Sequence, residues 1–353
     1  MAGSQLTPAS SPWWDRRNHA DRRPLLAARM RIKQALRQHF EALGFTEVEC
    51  AALQISPGNE AHLHAFATDK IGPDGACERL FLHTSPEFAC KKLLAAGERR
   101  IFTFSQVYRN REQGALNVPE FTMLEWYRAE QSYDAVVRDC GDLLKCAAAA
   151  IDTRLFRFRG RHCDATAEPK RISVAEAFRQ FAAIDILETL DPGGHPEQAA
   201  LARAAVAAGI MIAENDSWGD IFSRVLTERI ESNLGIGYPV ILDRYPRCEA
   251  ALARAAADDP RVSERFELYV CGVEVANGFG ELTDADEQRR RFEAEMALKQ
   301  AIHGERYPID EDFLAALRHM PQASGVALGF DRLVMLTTAA DNLRRVMWTP
   351  PAE

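Results

Sequence analysis

The chain has 353 residues, 47% of them hydrophobic, enough for one large core, and a formal net charge of −8. That balance argues against a broad phosphate-backbone footprint, which needs clustered lysine and arginine, while leaving room for a small basic patch. Eight cysteines show neither a C-x-x-C pair nor His/Cys ligand spacing, the N-terminal stretch has no apolar signal region, and no apolar run could span a bilayer. These features predict a cytosolic enzyme with reduced thiols and without structural zinc.

Residues 1–24 read as a loose leader. "LLAARMRIKQALRQHFEAL" (25–43) repeats apolar residues at three- and four-residue spacing and predicts an amphipathic helix stopped by Gly44. "FTEVE" and "RLFLH" (79–83) read as strands. "SPEFACKKLLAAG" (85–97) reads as a helix with Ser85 as N-cap, Pro86 at the first position and Gly97 as stop. Strands at 100–109 and 120–128 flank a polar loop, 110–119, and 133–151 is helical. The Ala-rich stretch of about 170–235 reads as a helical insertion into the same domain. "RFELYVCGVEVANGFGEL" (265–282) has hairpin character, with Asn277-Gly278 as its turn. A charged helix (284–302), the strand "SGVALGF" and a helix from Asp331 complete the chain. Strands in succession, with helices between them but not in strict alternation, predict an α+β fold on an antiparallel sheet.

Alternation along "FTMLEWY" puts Phe121, Met123, Glu125 and Tyr127 on one face. A carboxylate there needs a partner, either an internal arginine or an ammonium that arrives with a substrate. Glu87, in the first turn of its helix, suits the positive dipole end; with Glu125 and the Tyr127 hydroxyl it makes an acceptor set for the three donors of a primary ammonium. With Asn277-Gly278 as a turn, Glu274 opposes Glu281 across the ladder, and a divalent cation with bound phosphate is the natural filler between them. Solvated charges on an outer face are the plain alternative, weakened by Val273, Val275 and Phe279 around them. In "SGVALGFDR", Gly325 and Gly329 allow close backbone approach, and Asp331 can cap a helix whose first turn carries Arg332. Such a helix start attracts phosphate, and Arg109 beside the polar loop supplies a second cation.

"TSPEF…KKLL", "YRNRE…PEFTMLEWY", "GVEVANGFGEL" and "SGVALGFDRLVM" resemble the signature motifs of class II aminoacyl-tRNA synthetases of the lysyl type, in that family's order, over about residues 25–340. Lysyl-tRNA synthetases carry an anticodon-binding barrel ahead of this core, and none is expected here. The chain is therefore similar to the stand-alone paralogues that attach (R)-β-lysine to a lysine of elongation factor P. The resemblance implies a six- or seven-stranded antiparallel sheet flanked by helices, a homodimer, no stable tRNA binding, and an ATP-dependent ligase. In that chemistry an amino-acid carboxylate attacks the α-phosphate of ATP, and the adenylate then acylates an amine of the acceptor protein.

Carried over, Arg109 and Arg332 are catalytic and grip the phosphates, with Asn110, Arg111, Glu112, Asn117, Glu274, Val275 and Gly329 around the nucleotide. Glu274 and Glu281 hold Mg²⁺. Ser85, Pro86, Glu87, Glu125, Tyr127, Asn277, Glu281 and Ala327 receive lysine or (R)-β-lysine. Four positions depart from the family pattern. Arg109-Asn110-Arg111 followed by Glu112 replaces Arg-Asn-Glu, and Asn117-Val118-Pro119 replaces His-Asn-Pro. Ala51 stands at the motif 1 proline, and Ala327 at the middle glycine of motif 3, where its methyl would reshape the amino-acid pocket. A truncated lysyl-tRNA synthetase and a catalytically silent sensor of amino acid or nucleotide are the competing readings.

Overall fold

Asp15 starts the first helix by accepting hydrogen bonds from the backbone N–H groups of Arg17 and Asn18, and α1 runs from there over Arg16–Ala42. A computed structural model describes residues 12–352. Of the expected leader, residues 1–11 lie outside the described residues, while 16–24 are helical. Pro24, the last residue of the expected leader, sits inside α1. The first turns are secured by Arg22, whose buried guanidinium donates to the carbonyls of Met347, Arg345 and Trp13.

There follow β1 (Thr46–Glu47), β2 (Leu53–Gln54), β3 (Ala67–Ile71), β4 (Cys77–Leu82), α2 (Glu87–Ala95), β5 (Arg100–Tyr108), β6 (Glu120–Ala129) and α3 (Tyr133–Ala149). The middle holds β7 (Leu155–Phe158), β8 (Arg161–Asp164), β9 (Lys170–Ser173), α4 (Val174–Ala182), α5 (Gln198–Ala207) and α6 (Trp218–Val225). The chain ends with β10 (Val240–Asp243), β11 (Arg265–Val270), β12 (Val273–Gly280), α7 (Ala285–His303), α8 (Glu311–Leu317), β13 (Ala323–Gly329) and α9 (Phe330–Thr337).

Eight strands form the main sheet in the order β1-β5-β6-β13-β12-β11-β10-β9. The six inner strands are antiparallel throughout, as the α+β reading requires, and β1 and β9 add parallel edges. The expected six or seven strands thus become eight in a mixed sheet. Because β9 belongs to this sheet, the helices of the middle stretch begin only at α4. They share a separate core of Val174, Phe178, Trp218, Phe222 and Val225. Ser173 with Glu176, and Ser217 with Asp220, form capping boxes that start α4 and α6.

One face of the sheet carries Leu124, Trp126, Phe266, Val326 and Leu328 into the main core, under α1, α3 and α9. Asp331 lies one residue inside α9, whose N-cap is Gly329, and so does not cap it as expected. Its carboxylate instead accepts from the Thr122 N–H at 2.7 Å and from Arg29, tying α1 and α9 to β6. Among the described residues no helix is long and apolar enough to cross a membrane.

The predicted turn at Asn277-Gly278 is not one. Both residues lie inside β12, and Gly278 is glycine because a Cβ there would strike the Phe266 ring. The chain reverses at Cys271-Gly272, whose φ values of 56° and 73° are the positive pair that a type I′ turn demands. Glu274 and Glu281 therefore do not face each other across a hairpin; they stand at opposite ends of one strand.

Candidate active site

The opposite sheet face floors a cavity of about 310 Å³. Register places its residues in rows. Glu267, Asn277, Ala327, Glu125 and Thr103 form one rung across five strands, and Phe279, Gly325, Tyr127 and Ile101 form a rung beside it. Paired residues share a face, so Ala327 sits between Asn277 and Glu125 on the cleft floor. As the alternation predicts, Phe121, Met123, Glu125 and Tyr127 all line the cleft.

Glu125 is fully buried and, among the described residues, is paired with no cation. There it accepts hydrogen bonds only from hydroxyl groups, those of Ser85 and, at 2.7 Å, Tyr127. Burial, reinforced by the charge of Glu87, pushes its carboxyl up to about 8 against the pull of both hydroxyls. Burial and the Glu125 charge raise the Tyr127 phenol too, so it stays a donor. Ser85 serves two elements: it donates to Glu125 and accepts from the Glu87 N–H at 3.0 Å. The helix itself begins at Glu87 with Pro86 as N-cap, one residue later than the sequence suggests. Pro86 lines a small adjoining cavity behind Glu87, while Asn277 enters the main cleft with a buried Oδ1 that has no hydrogen-bond partner. Gly325 makes room for this arrangement, since a Cβ there would collide with the Tyr127 ring and Glu281 Oε1.

Two arginines stand elsewhere in the cleft, beside Glu274. Arg109 donates to the Thr84 carbonyl at 3.2 Å and stacks over Phe121; Arg332 donates to the Glu274 carbonyl at 2.9 Å, with that residue's carboxylate at 3.3 Å. Glu274 reaches the floor through a β-bulge: Leu268 pairs with Ala276 but Tyr269 with Glu274, leaving Val275 unpaired and reversing the alternation. Glu274 is raised by burial first and then by Glu267, with Arg332 and Arg109 pulling it down. Its carboxylate neighbour is thus Glu267, whereas Glu281 is closed on Lys91. Glu112 and Asn117 line the cleft as a pair bonded at 2.6 Å, joined there by Val275 and Gly329. Asn110 and Arg111 do not line it. The Asn110 backbone bridges to His64, and Arg111, at φ 64°, turns out to Glu305.

Glu87, Glu125 and Glu281 thus share a sheet-floored cleft with Arg109 and Arg332, both of which act on Glu274. The family profile "tRNA synthetases class II (D, K and N)" matches residues 7–352. The chain belongs to this family. Curated relatives of this class II synthetase chain include the elongation factor P–(R)-β-lysine ligase of Pectobacterium atrosepticum, 37% identical over 327 residues, covering 91% of this chain and 93% of that one. Proteins of the same name from Sodalis glossinidius and Haemophilus influenzae are 38% and 35% identical, covering 91% and 95% of this chain and 93% and 95% of theirs.

Two residues of this class II synthetase site escape a sequence reading. Lys91 is wholly buried, with its ammonium 2.6 Å from both Glu87 and Glu281. Its signal was present as an i,i+4 Glu–Lys pair, which in an isolated helix denotes a solvated face. Burial alone would lower the Lys91 ammonium, but the two carboxylates outweigh it and keep the group charged; burial pushes Glu281 up to about 7 against the pull of Lys91. Glu267, held by Arg265 at 2.8 Å and Tyr269 at 2.7 Å, carried no signal until β12 proved continuous.

Proposed function

We propose that this protein activates a diamino acid, lysine or (R)-β-lysine, with ATP and transfers it to a lysine side chain of elongation factor P. The observation that carries the reading is Glu125: a buried carboxylate with only hydroxyl partners among the described residues, in a cleft that also holds Arg109 and Arg332. A substrate ammonium supplies the missing cation. The names of the relatives supply the acceptor.

In this reading a carboxylate oxygen of the amino acid attacks the α-phosphorus and pyrophosphate leaves with the bond electrons. The acceptor amine then attacks the acyl carbon of the adenylate, and AMP leaves. Negative charge concentrates on the α-phosphate in the first transition state, where Arg109 and Arg332 would stabilise it. Magnesium would fit the same end, because it binds through one or two carboxylates plus substrate phosphates, and Glu274, which lines the cleft, would be one of them. When bound, the ion would neutralise phosphate charge. This narrows the expected pair of Glu274 and Glu281 to Glu274, because Lys91 already holds Glu281. No group of three or more His, Cys, Asp or Glu suited to a protein-only metal site occurs among the described residues.

A homodimer in the cytoplasm belongs to the same reading; Ala51, at the family's motif 1 proline, is exposed between β1 and β2. Pyrophosphate–ATP exchange tests the activation step. Exchange dependent on α-lysine or (R)-β-lysine supports the reading, and none with any diamino acid overturns it in favour of a silent sensor.

A further inference from the structure

Among the described residues, Lys91 is a buried ammonium beside the cleft that no step of the chemistry above uses. Its side chain has 0% exposure, and its two carboxylate partners come from separate parts of the fold. Glu87 opens α2, while Glu281 follows the last residue of β12, fixed there by its N–H donating to the Ala323 carbonyl at 2.9 Å. Both partners line the cleft, as does Glu125; Glu60 also lines it but is solvent-exposed, so three carboxylates of this end are shielded from solvent. Buried like charges suppress one another's ionisation, and a buried ammonium is itself unfavourable without close partners. A helix that needed only to pack would gain more from leucine at this position.

We propose that Lys91 is a positioning residue that sets the charge of the amino-acid end of the cleft. It cancels one of the three shielded carboxylates and, once substrate binding has ionised Glu125, leaves two negative charges, which match the two ammonium groups that a diamino acid keeps once its carboxylate is joined to AMP. The same ammonium holds Glu87 and Glu281 at a fixed separation, each presenting its remaining oxygen to the substrate. Without it, the two carboxylates repel or share a proton, and one ceases to be an acceptor. The inference rests on the diamino-acid reading above and deepens it by naming what sets the substrate's charge.

The test compares Lys91→Met, Glu281→Gln and the double variant by pyrophosphate–ATP exchange with a diamino acid, with thermal melting as a fold check. Lys91→Met should raise the KM for the amino acid about ten-fold or more and leave the KM for ATP unchanged, as loss of a ground-state contact set does. The double variant, again with two negative charges, should recover much of that loss and outperform Glu281→Gln alone, which has only one. Equal losses for both substrates, or a double variant worse than either single one, would make Lys91 a packing residue and overturn the proposal. Should Lys91→Met alone not fold, the Glu281→Gln and double variants still decide by their rank; a double variant that also fails to fold assigns Lys91 to the core and counts against it. Failure of the wild-type protein to activate any diamino acid is a separate result, which removes the functional reading together with this inference.

Discussion

Tyr127 donates its phenolic hydrogen to Glu125, two residues back on the same face of the same strand, at 2.7 Å. The strand's own period thus delivers an acid and its donor together to the cleft floor, without a cation. A carboxyl held up to about 8 is mostly protonated at neutral pH and must give up that proton to accept a substrate ammonium.

Amino-acid binding should therefore release a proton, and affinity should rise with pH until Glu125 is ionised, near its value of about 8. Titration calorimetry in buffers of different ionisation enthalpy measures the release. A proton count of zero would mean that Glu125 is already ionised in the free cleft.

Stability has the opposite dependence. Because the folded value of Glu125 lies above its unfolded one, its contribution is fully present below the ordinary carboxylate range and lost as pH rises through about 8. Glu125→Gln should match the wild type in stability in mild acid and exceed it by about 2 kcal/mol above the folded value, while losing about 10²-fold or more in exchange rate. Thermal melts at the two pH values, paired with the exchange assay, check both halves.

Arg109→Ala and Arg332→Ala should each lower exchange by about 10²–10³-fold, the usual effect of removing a donor aimed at developing charge. Amino-acid binding without ATP should persist in both, as calorimetry would show. An equal loss of amino-acid affinity would place the arginines on the substrate carboxylate instead of the phosphates.

Two glycines separate the faces of the sheet. Gly325→Ala would press on Tyr127 and Glu281, whereas Gly278→Ala would press on Phe266 in the core. Each should destabilise by about 1–3 kcal/mol, as overpacking does. Only Gly325→Ala should also raise the amino-acid KM in molecules that remain folded. Matching kinetics for the two would show that the Gly325 rung is not part of the pocket.

Ala327→Gly removes the one methyl between Asn277 and Glu125 on the floor. The kcat/KM ratio of α-lysine to (R)-β-lysine should move about ten-fold toward α-lysine, the scale of a single methyl in a pocket. An unchanged ratio would free Ala327 of any part in the choice.

Much of this site is legible in the sequence where strands are regular. β6 has no bulge, so plain alternation puts Glu125 and Tyr127 in the cleft. β12 hides its arrangement for two reasons. Asn277-Gly278 has turn chemistry but a packing role, and Cys271-Gly272 makes the turn with a residue that rarely signals one. The bulge at Val275 then changes the parity, which no count of alternating residues anticipates. Lys91 and Arg22 share another difficulty: charged residues read as surface until the partners that bury them are known, and those partners lie far along the chain. Pro24 shows that a local helix-breaker yields to tertiary anchoring on both sides.

The most direct test of the whole account is acyl transfer in a single competitive reaction. Labelled (R)-β-lysine, ATP and this protein would be mixed with elongation factor P and lysine tRNA, and the products separated. The account predicts label on a lysine side chain of the factor, lost when Arg109 or Glu125 is replaced; label on the tRNA, or on neither acceptor, would contradict it.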